Sequence, residues 1–134
     1  MRIVLFIFLI LHGAVHVFYA MHSKGVFKMA PEMEWPDGSI LLEKTAPESI
    51  RRWAVILLIT ADMAFSAAAV GVLLQTGWWQ LALIAAALFS SAVFFVFWDG
   101  KYEKLANQGA VGILINLGLI VLSASWKWIG FLSG

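Results

Sequence analysis

Four long apolar runs constrain this chain more than any other feature of its sequence. They cover residues 3–20, 53–76, 78–98 and 109–131. An α-helix needs about 20 apolar residues to cross the roughly 30 Å of hydrocarbon in a bilayer, and each run has about that length. Of all residues, 62% are hydrophobic and only 13% are charged, unlike the composition of a soluble domain. The sequence therefore predicts an all-α protein with four transmembrane helices.

The connections between the runs predict how the helices are arranged. Only Gly77 separates the second run from the third, so these two helices must be antiparallel neighbours. The segment Thr45-Ala46-Pro47-Glu48 has the spacing of a capping box with proline in the first turn, which predicts that the second helix covers 46–76. The loop 21–45 is too short for a second domain. We expect one domain over residues 1–134, folded as an antiparallel four-helix transmembrane bundle.

The first run has to be distinguished from a signal peptide, because Arg2 precedes it. A cleavage site has a small residue two places before its final alanine, whereas Phe18 stands two places before Ala20. The first run is therefore predicted to be retained as a transmembrane helix.

The segment between the first two apolar runs, residues 21–52, carries all three prolines and much of the charge. Its segment Trp35-Pro36-Asp37-Gly38 is typical of a tight turn, since proline presets one turn dihedral and aspartate and glycine accept the others. We expect a small hairpin or a lid on the membrane surface. His22, just after the first run, is expected to be a solvated interface residue. Small residues in two of the runs are expected to let neighbouring helices approach closely. They are Gly109, Gly112 and Gly118 in the last run and Ala67, Ala68, Ala69 and Gly71 in the second.

The distribution of lysine and arginine predicts the orientation in the membrane. One face holds both termini and the Gly77 turn, and the other holds the two longer loops. The terminal face carries Arg2 and Lys127. The loop face carries Lys24, Lys28, Lys44, Arg51, Arg52, Lys101 and Lys104. Cytoplasmic loops are the more basic ones, so the loops are predicted to be cytoplasmic and both termini outside, in the inner membrane of a prokaryote.

Charge and cysteine content exclude several classes of function. The chain has no cysteine, which excludes dithiol, disulfide and thiolate chemistry, including that of quinone-linked disulfide enzymes. The net charge of +1 supplies no basic face, so nucleic acid is not an expected partner. No serine stands in a GxSxG context, and no enzymatic activity is assigned.

Polar side chains inside the apolar runs converge on one predicted depth. Counted from the loop-side end of each helix at about 1.5 Å per residue, His12 and Asp62 both lie roughly 13 Å deep. Similar counts hold for the serines of the third run and the asparagine of the fourth, and the first run adds a second histidine on the same helix face. The predicted intramembrane polar site comprises His12, His16, Asp62, Ser90, Ser91 and Asn116. Since a charged group facing lipid is costly, Asp62 and His12 are expected to face inward and to pair.

Three interpretations of this site are open. The polar groups could join helices by hydrogen bonds worth roughly 0.6 to 2 kcal/mol each. The site could instead bind protons or a polar substrate, as ionisable groups inside membranes do. The third interpretation is ligation of a metal or haem by His12 and His16 with Asp62. That pair at i, i+4 can share one metal, but no HExxH motif accompanies it, and bis-histidine haem would need a second copy of the chain.

Two stretches carry a family resemblance, LHGAVHVFYA at residues 11–20 and FFVFWDGKYEKLANQGAVGILINLGLIV at residues 94–121. Together they resemble uncharacterised bacterial four-helix membrane proteins of the DoxX-like type. The motif positions are an HGxxH element, a Trp-Asp segment and a Leu-x-Asn element. In this chain they are His12, Gly13, His16, Trp98, Asp99, Gly100, Leu105 and Asn107. Asp99 and Asn107 also have possible structural roles, Asp99 in a turn and Asn107 as a helix N-cap. The family name implies association with a quinone oxidase complex.

The sequence thus favours a small-ligand-binding or accessory subunit of a membrane complex. Its expected partners are the lipid bilayer and another membrane subunit or a second copy of the chain. One alternative is a small proton-coupled transporter that uses Asp62 and His12. Another is the membrane subunit of a haem or quinone oxidoreductase. No particular cofactor is indicated.

Overall fold

The computed structural model describes residues 1–29, 35–36, 39–102, 105 and 109–132, with side chains up to residue 126 in the last helix. Four helices account for the regular structure of these residues, which include no strand. They are α1 (Arg2–Ser23), α2 (Pro47–Leu74), α3 (Trp79–Val96) and α4 (Val111–Leu132). The predicted all-helical class is confirmed, and each helix overlaps one of the four apolar runs.

Three of the helices are long and apolar enough to cross a membrane. α1, α2 and α3 contain 22, 28 and 18 residues, with mean hydropathies of 2.3, 2.1 and 2.0 over their most apolar stretches. The segment Val111–Trp126 of α4 is apolar but shorter. The composition of these helices is that of a membrane protein.

The ends of α2 are set by backbone geometry. Pro47 opens the helix, where its missing N–H costs nothing. The predicted capping box does not form, because Ala46 is the N-cap residue and no side chain caps the helix. At the other end Gln75 adopts a left-handed conformation, with φ 58°, and the N–H of Thr76 returns to the carbonyl of Gly71 at 3.1 Å. This closure lets the chain start α3 at Trp79.

Each helix packs against the next one along the chain. Two apolar clusters result. One contains Leu5, Leu9, Phe65, Leu83 and Leu119, and the other contains Tyr19, Trp35, Leu58, Phe94 and Phe97. Along every helix, the polar positions highlighted by the sequence lie between the two clusters. The core is therefore divided into two apolar halves by a polar level.

The loop after α1 closes one end of the helices with a buried tryptophan. Trp35 is only 3% exposed, and its ring lies 5.3 Å from the ring of Tyr19 and 5.7 Å from that of Phe94. Trp35 and Pro36 form a turn, whereas Asp37 and Gly38 lie outside the described residues. The loop thus inserts a side chain into the core instead of only lying on the surface.

His22 helps to hold this loop. It is buried, so the expectation of a solvated interface residue is wrong. Its Nε2 accepts a hydrogen bond from the N–H of Trp35 at 3.3 Å, and the N–H of Met29 lies 3.5 Å from Nδ1. A neutral imidazole has only one acceptor nitrogen, so it can accept only one of these two hydrogen bonds at a time. Burial follows because the chain folds back across the end of α1.

Candidate functional site

Three helices bring five of the six predicted site residues into one buried network. α1 supplies His12 and His16, one turn apart. α3 supplies the adjacent serines, Ser90 and Ser91, and α4 supplies Asn116. Ser90 and Asn116 are completely buried, and the two histidines are nearly so. We call these five residues the polar layer.

Asn116 is the centre of the polar layer. Its Oδ1 lies 2.9 Å from Nε2 of His12. Its Nδ2 donates to Oγ of Ser90 and to Oγ of Ser91, each at 3.0 Å. One amide therefore joins α4 to both α1 and α3, and all of its hydrogen-bonding groups have partners.

His16 closes the network on α1. Its Nδ1 lies 3.0 Å from the carbonyl oxygen of His12, and its Nε2 lies 2.7 Å from Oγ of Ser90. A carbonyl can only accept, so Nδ1 of His16 carries the proton and Nε2 accepts the hydroxyl proton of Ser90. Ser90 then accepts from Asn116, and Nε2 of His12 must donate to the Asn116 carbonyl. Ser91 donates to the carbonyl of Ala87 at 2.8 Å.

With both histidines neutral, each hydrogen bond of the polar layer therefore has one assigned donor and one assigned acceptor. Every polar hydrogen of its five side chains has one acceptor. Within the polar layer, the only side-chain nitrogen or oxygen for which the described residues provide no hydrogen-bond partner is Nδ1 of His12. Since unpaired polar groups cost most where the dielectric is low, this closure favours the interpretation in which the groups join helices.

Aromatic rings separate the polar layer from its surroundings. Phe65 meets His12 edge to face at 4.7 Å and lies 5.4 Å from His16. Phe94 lies 5.7 Å from His16, and Phe8 stacks on His12 at 6.0 Å with the planes 4° apart. These rings supply the apolar environment in which the hydrogen bonds of the layer form.

Asp62, the sixth predicted residue, lies outside the network. It is half-buried and forms no hydrogen bond or ion pair with any residue that the structure describes. The expected pair with His12 is not formed, because Nε2 of His12 is bound to Asn116 and α2 turns Phe65 toward the histidines. Asp62 lies instead against the backbone of α1 at Gly13, where a Cβ would meet its Oδ1 at 2.8 Å.

The structure gives no support to a shared metal between the two histidines. Both Nε2 atoms are engaged in short hydrogen bonds, and Nδ1 of His16 is bound to backbone. Over the described part of the chain, no group of three metal-binding side chains comes together. Ligation by His12 and His16 would require the polar layer to be taken apart.

The loop motif after α3 forms a local turn. The N–H of Lys101 donates to Oδ1 of Asp99 at 2.9 Å, and Gly100 between them has a φ of +83°. Nε1 of Trp98 lies 3.4 Å from the carbonyl of Lys101. These contacts fit the local use of Asp99 in a turn. Asn107 lies outside the described residues.

A groove between α1 and α4 is a feature that the sequence did not reveal. Its cavity has a volume of about 440 Å³. Its walls are apolar and comprise Met1, Val4, Leu5, Phe8, Ile115, Gly118, Leu119, Leu122 and Trp126. Gly118 was expected to permit close packing, but a Cβ there would have no atom within 4 Å. The expectation is wrong because α1 and α4 stay apart on this side, and the spacing between helices cannot be read from one chain position.

A second missed element joins α3 and α4 beyond the polar layer. Nε2 of Gln80 donates to the carbonyl of Ser123, and the Ser123 hydroxyl donates to the carbonyl of Gln80, each at 3.3 Å. Ser123 is almost completely buried. Gln80 lies in the first turn of α3 and Ser123 in the second half of α4, and no sequence pattern links the two positions.

Comparison of the chain with protein-family models, with curated proteins and with solved structures finds no match. The resemblance to DoxX-like proteins therefore stays a prediction from the two sequence stretches. The function has to be argued from the geometry of the polar layer, of Asp62 and of the groove.

Proposed function

We propose that this chain is a DoxX-like integral membrane protein whose four helices cross the inner membrane of a prokaryote as an antiparallel bundle. The length and hydropathy of α1, α2 and α3 support this placement. So does the short link between α2 and α3, which is compatible only with helices running in opposite directions. The basic loops would be cytoplasmic and both termini outside.

The orientation can be tested directly because the chain has no cysteine of its own. Single cysteines would be introduced as Gly77→Cys in the α2–α3 link and Lys44→Cys in the first loop. In intact cells, a membrane-impermeant maleimide should label the first variant only, and the second only after the membrane is opened. The reverse labelling pattern would refute the proposed orientation, and labelling of both in intact cells would refute the bundle.

We further propose that the protein acts as a small-ligand-binding accessory subunit of a membrane complex and has no catalysis of its own. The observation that carries this proposal is the groove between α1 and α4. Its walls are almost wholly apolar, and its volume of about 440 Å³ is in the range of small-molecule sites. Phe8, which lines the groove, stacks on His12. The groove thus lies beside the polar layer.

The walls define the chemistry of the ligand. An elongated apolar molecule would fill the groove, and a single hydroxyl group at its end would be placed near Phe8, which stacks on His12. A charged or strongly polar ligand would find no partner along the walls, since polar groups without hydrogen bonds are costly in an apolar environment. Because the polar hydrogens of the layer are already used in hydrogen bonds, its side chains would orient such a ligand without reacting with it.

Gly118 gives a clean test, because a side chain placed there enters open space. The probe is a pyrene-labelled long-chain alcohol, whose binding is measured by energy transfer from tryptophan in detergent micelles. Gly118→Leu should weaken binding at least 10-fold without loss of folding. The control Ala67→Leu, at an exposed position of α2, should bind like the unmodified protein. Equal binding by Gly118→Leu would refute the groove as the ligand site.

One observation favours a second candidate, proton-coupled transport. Asp62 is a half-buried carboxyl group in an apolar helix and has no partner among the described residues. Such groups inside membranes commonly bind transported protons. In liposomes with a pH gradient, the protein would then conduct protons and Asp62→Asn would not. Absence of flux in the unmodified protein would eliminate this candidate and leave ligand binding.

A further inference from the structure

A second cavity opens where α1 ends and α2 begins. Its volume is about 490 Å³. α1 and the residue after it contribute Ser23 and Lys24, and α2 contributes the rest of the lining, Glu48, Arg51, Arg52, Val55 and Ile56. It lies on the loop side of the helices, away from the groove between α1 and α4.

The lining of this cavity carries more positive than negative charge. Lys24, Arg51 and Arg52 are exposed and face one carboxylate, that of Glu48. None of the four side chains forms an ion pair or hydrogen bond within the described part of the chain. Arginine pairs with a phosphate group through two parallel hydrogen bonds, which a lysine cannot reproduce. The charge therefore suits a phosphate.

The lining of the cavity is charged around the arginines and apolar one helical turn further along α2. Val55 and Ile56 line it one helical turn after the arginines, and Ile56 is 47% exposed. Beside them, Trp53 is 56% exposed, as aromatic residues at a membrane interface are. A molecule that occupies the whole cavity would have an anionic group at one end and an apolar chain at the other. Free phosphate would use only the charged part.

We propose that this cavity binds the phosphate group of an anionic phospholipid, with the acyl chains running along Val55 and Ile56. The proposal rests on the transmembrane placement of α1 and α2 given under the proposed function, and it is independent of the ligand in the groove. With the loops cytoplasmic, the lipid belongs to the inner leaflet, whose anionic lipids attract basic segments next to membrane helices. Binding there would clamp the end of α1 to the start of α2.

The test uses the full chain in detergent micelles, titrated with short-chain phosphatidylglycerol, short-chain phosphatidylcholine and inorganic phosphate. Phosphatidylglycerol should bind at least 10-fold more tightly than phosphatidylcholine. Phosphate alone should compete only at concentrations far above those of the lipid. If the two lipids bind equally, or if phosphate binds as tightly as the anionic lipid, the proposal is wrong.

Paired variants locate the site. Arg51→Gln combined with Arg52→Gln should weaken phosphatidylglycerol binding about 25-fold, since each basic residue contributes roughly 5-fold. The control combines Lys28→Gln with Lys44→Gln, which removes the same charge from the same face outside the cavity and should change binding less than 2-fold. Should the arginine variant not fold, Glu48→Gln provides the opposite test and should strengthen binding about 5-fold. Equal effects of the two double variants would show a diffuse charge effect and overturn the proposal.

Extraction of membranes at alkaline pH separates failure of this inference from failure of the proposed placement. A chain that stays with the membrane but shows no preference for phosphatidylglycerol contradicts only the lipid site. If the chain is released, the transmembrane placement itself is wrong, and the lipid site is wrong with it.

Discussion

The polar layer and Asp62 lie at the same level of the helices but are opposite in their bonding. In the layer, five side chains from three helices use all their polar hydrogens on one another and on backbone carbonyls. Asp62, between Leu58 and Phe65 on α2, has no partner among the residues described. The layer is thus complete within one chain, whereas the carboxyl group of Asp62 has no hydrogen bond or ion pair among the described residues. Similar depth and similar polarity therefore do not imply a shared role.

Removal of the central amide should give the largest effect. Asn116→Leu breaks three side-chain hydrogen bonds and leaves the donor of His12 unpaired, and we expect a loss of about 3 kcal/mol in the free energy of unfolding. Reversible unfolding in mixed micelles, followed by tryptophan fluorescence, measures it. The control Leu114→Ala, at an exposed position of α4, should cost less than 1 kcal/mol. Comparable losses in both variants would show that the layer does not hold the helices together.

A side chain at Gly13 tests how tightly Asp62 is held against α1. The new Cβ of Gly13→Ala would contact Oδ1 of Asp62 and approach Cβ of Phe65 at 3.4 Å, so we expect a loss of about 1.5 kcal/mol. In a double-mutant cycle, Asp62→Ala should remove most of that loss because the obstructing carboxyl group is gone. Additive effects of the two changes would mean that the contact between Gly13 and Asp62 contributes nothing.

The comparison also predicts one substitution that raises the free energy of unfolding. Asp62→Asn removes a charge that has no partner within the chain, so we expect a gain of about 1 kcal/mol in the free energy of unfolding. The same micelle assay measures it. A substantial loss of stability would show that the carboxylate has a partner, and crosslinking of the intact protein would then identify a second copy or another subunit.

The smallest expected effect lies at the edge of the polar layer. Ser91 is half-buried and shares the Asn116 amide with Ser90, so Ser91→Ala should cost about 0.5 kcal/mol. Ser90→Ala should cost about twice as much, because Ser90 is completely buried and its removal leaves Nε2 of His16 without a donor. Thermal unfolding of the two variants side by side checks this order. An inverted order would show that the hydrogen bond from Ser90 to His16 contributes little to stability.

Depth along each helix could be predicted from the sequence, whereas rotation about each helix axis could not. The constant rise of an α-helix is enough to place His12, Ser90 and Asn116 at one level. Which of them touch depends on how each helix is rotated about its axis, because successive side chains point about 100° apart. The packing of neighbouring helices decides that rotation. Thus Phe65 rather than Asp62 faces the histidines. The burial of His22 and the seating of Trp35 depend on loop conformation, for which one sequence carries little signal.

The groove and the basic cavity were missed for a related reason. Each arises from the space between two helices, and neither leaves a periodic pattern in one of them. The sequence alone suggests that Gly118 is a packing residue. The structure shows open space beside it. Lys24 is separated in sequence from Arg51 and Arg52 by the first loop, so their proximity appears only after folding.

The backbone carbonyl oxygen of His12 determines which tautomer each of the two histidines adopts, and NMR can detect these tautomers. Because this oxygen can only accept, it fixes the proton of His16 on Nδ1, and the chain of hydrogen bonds then fixes the proton of His12 on Nε2. The two imidazoles are therefore opposite tautomers, although they stand one turn apart on the same helix. Nitrogen-15 NMR distinguishes protonated from bare ring nitrogens, so each histidine would report separately on whether the ring of hydrogen bonds is intact.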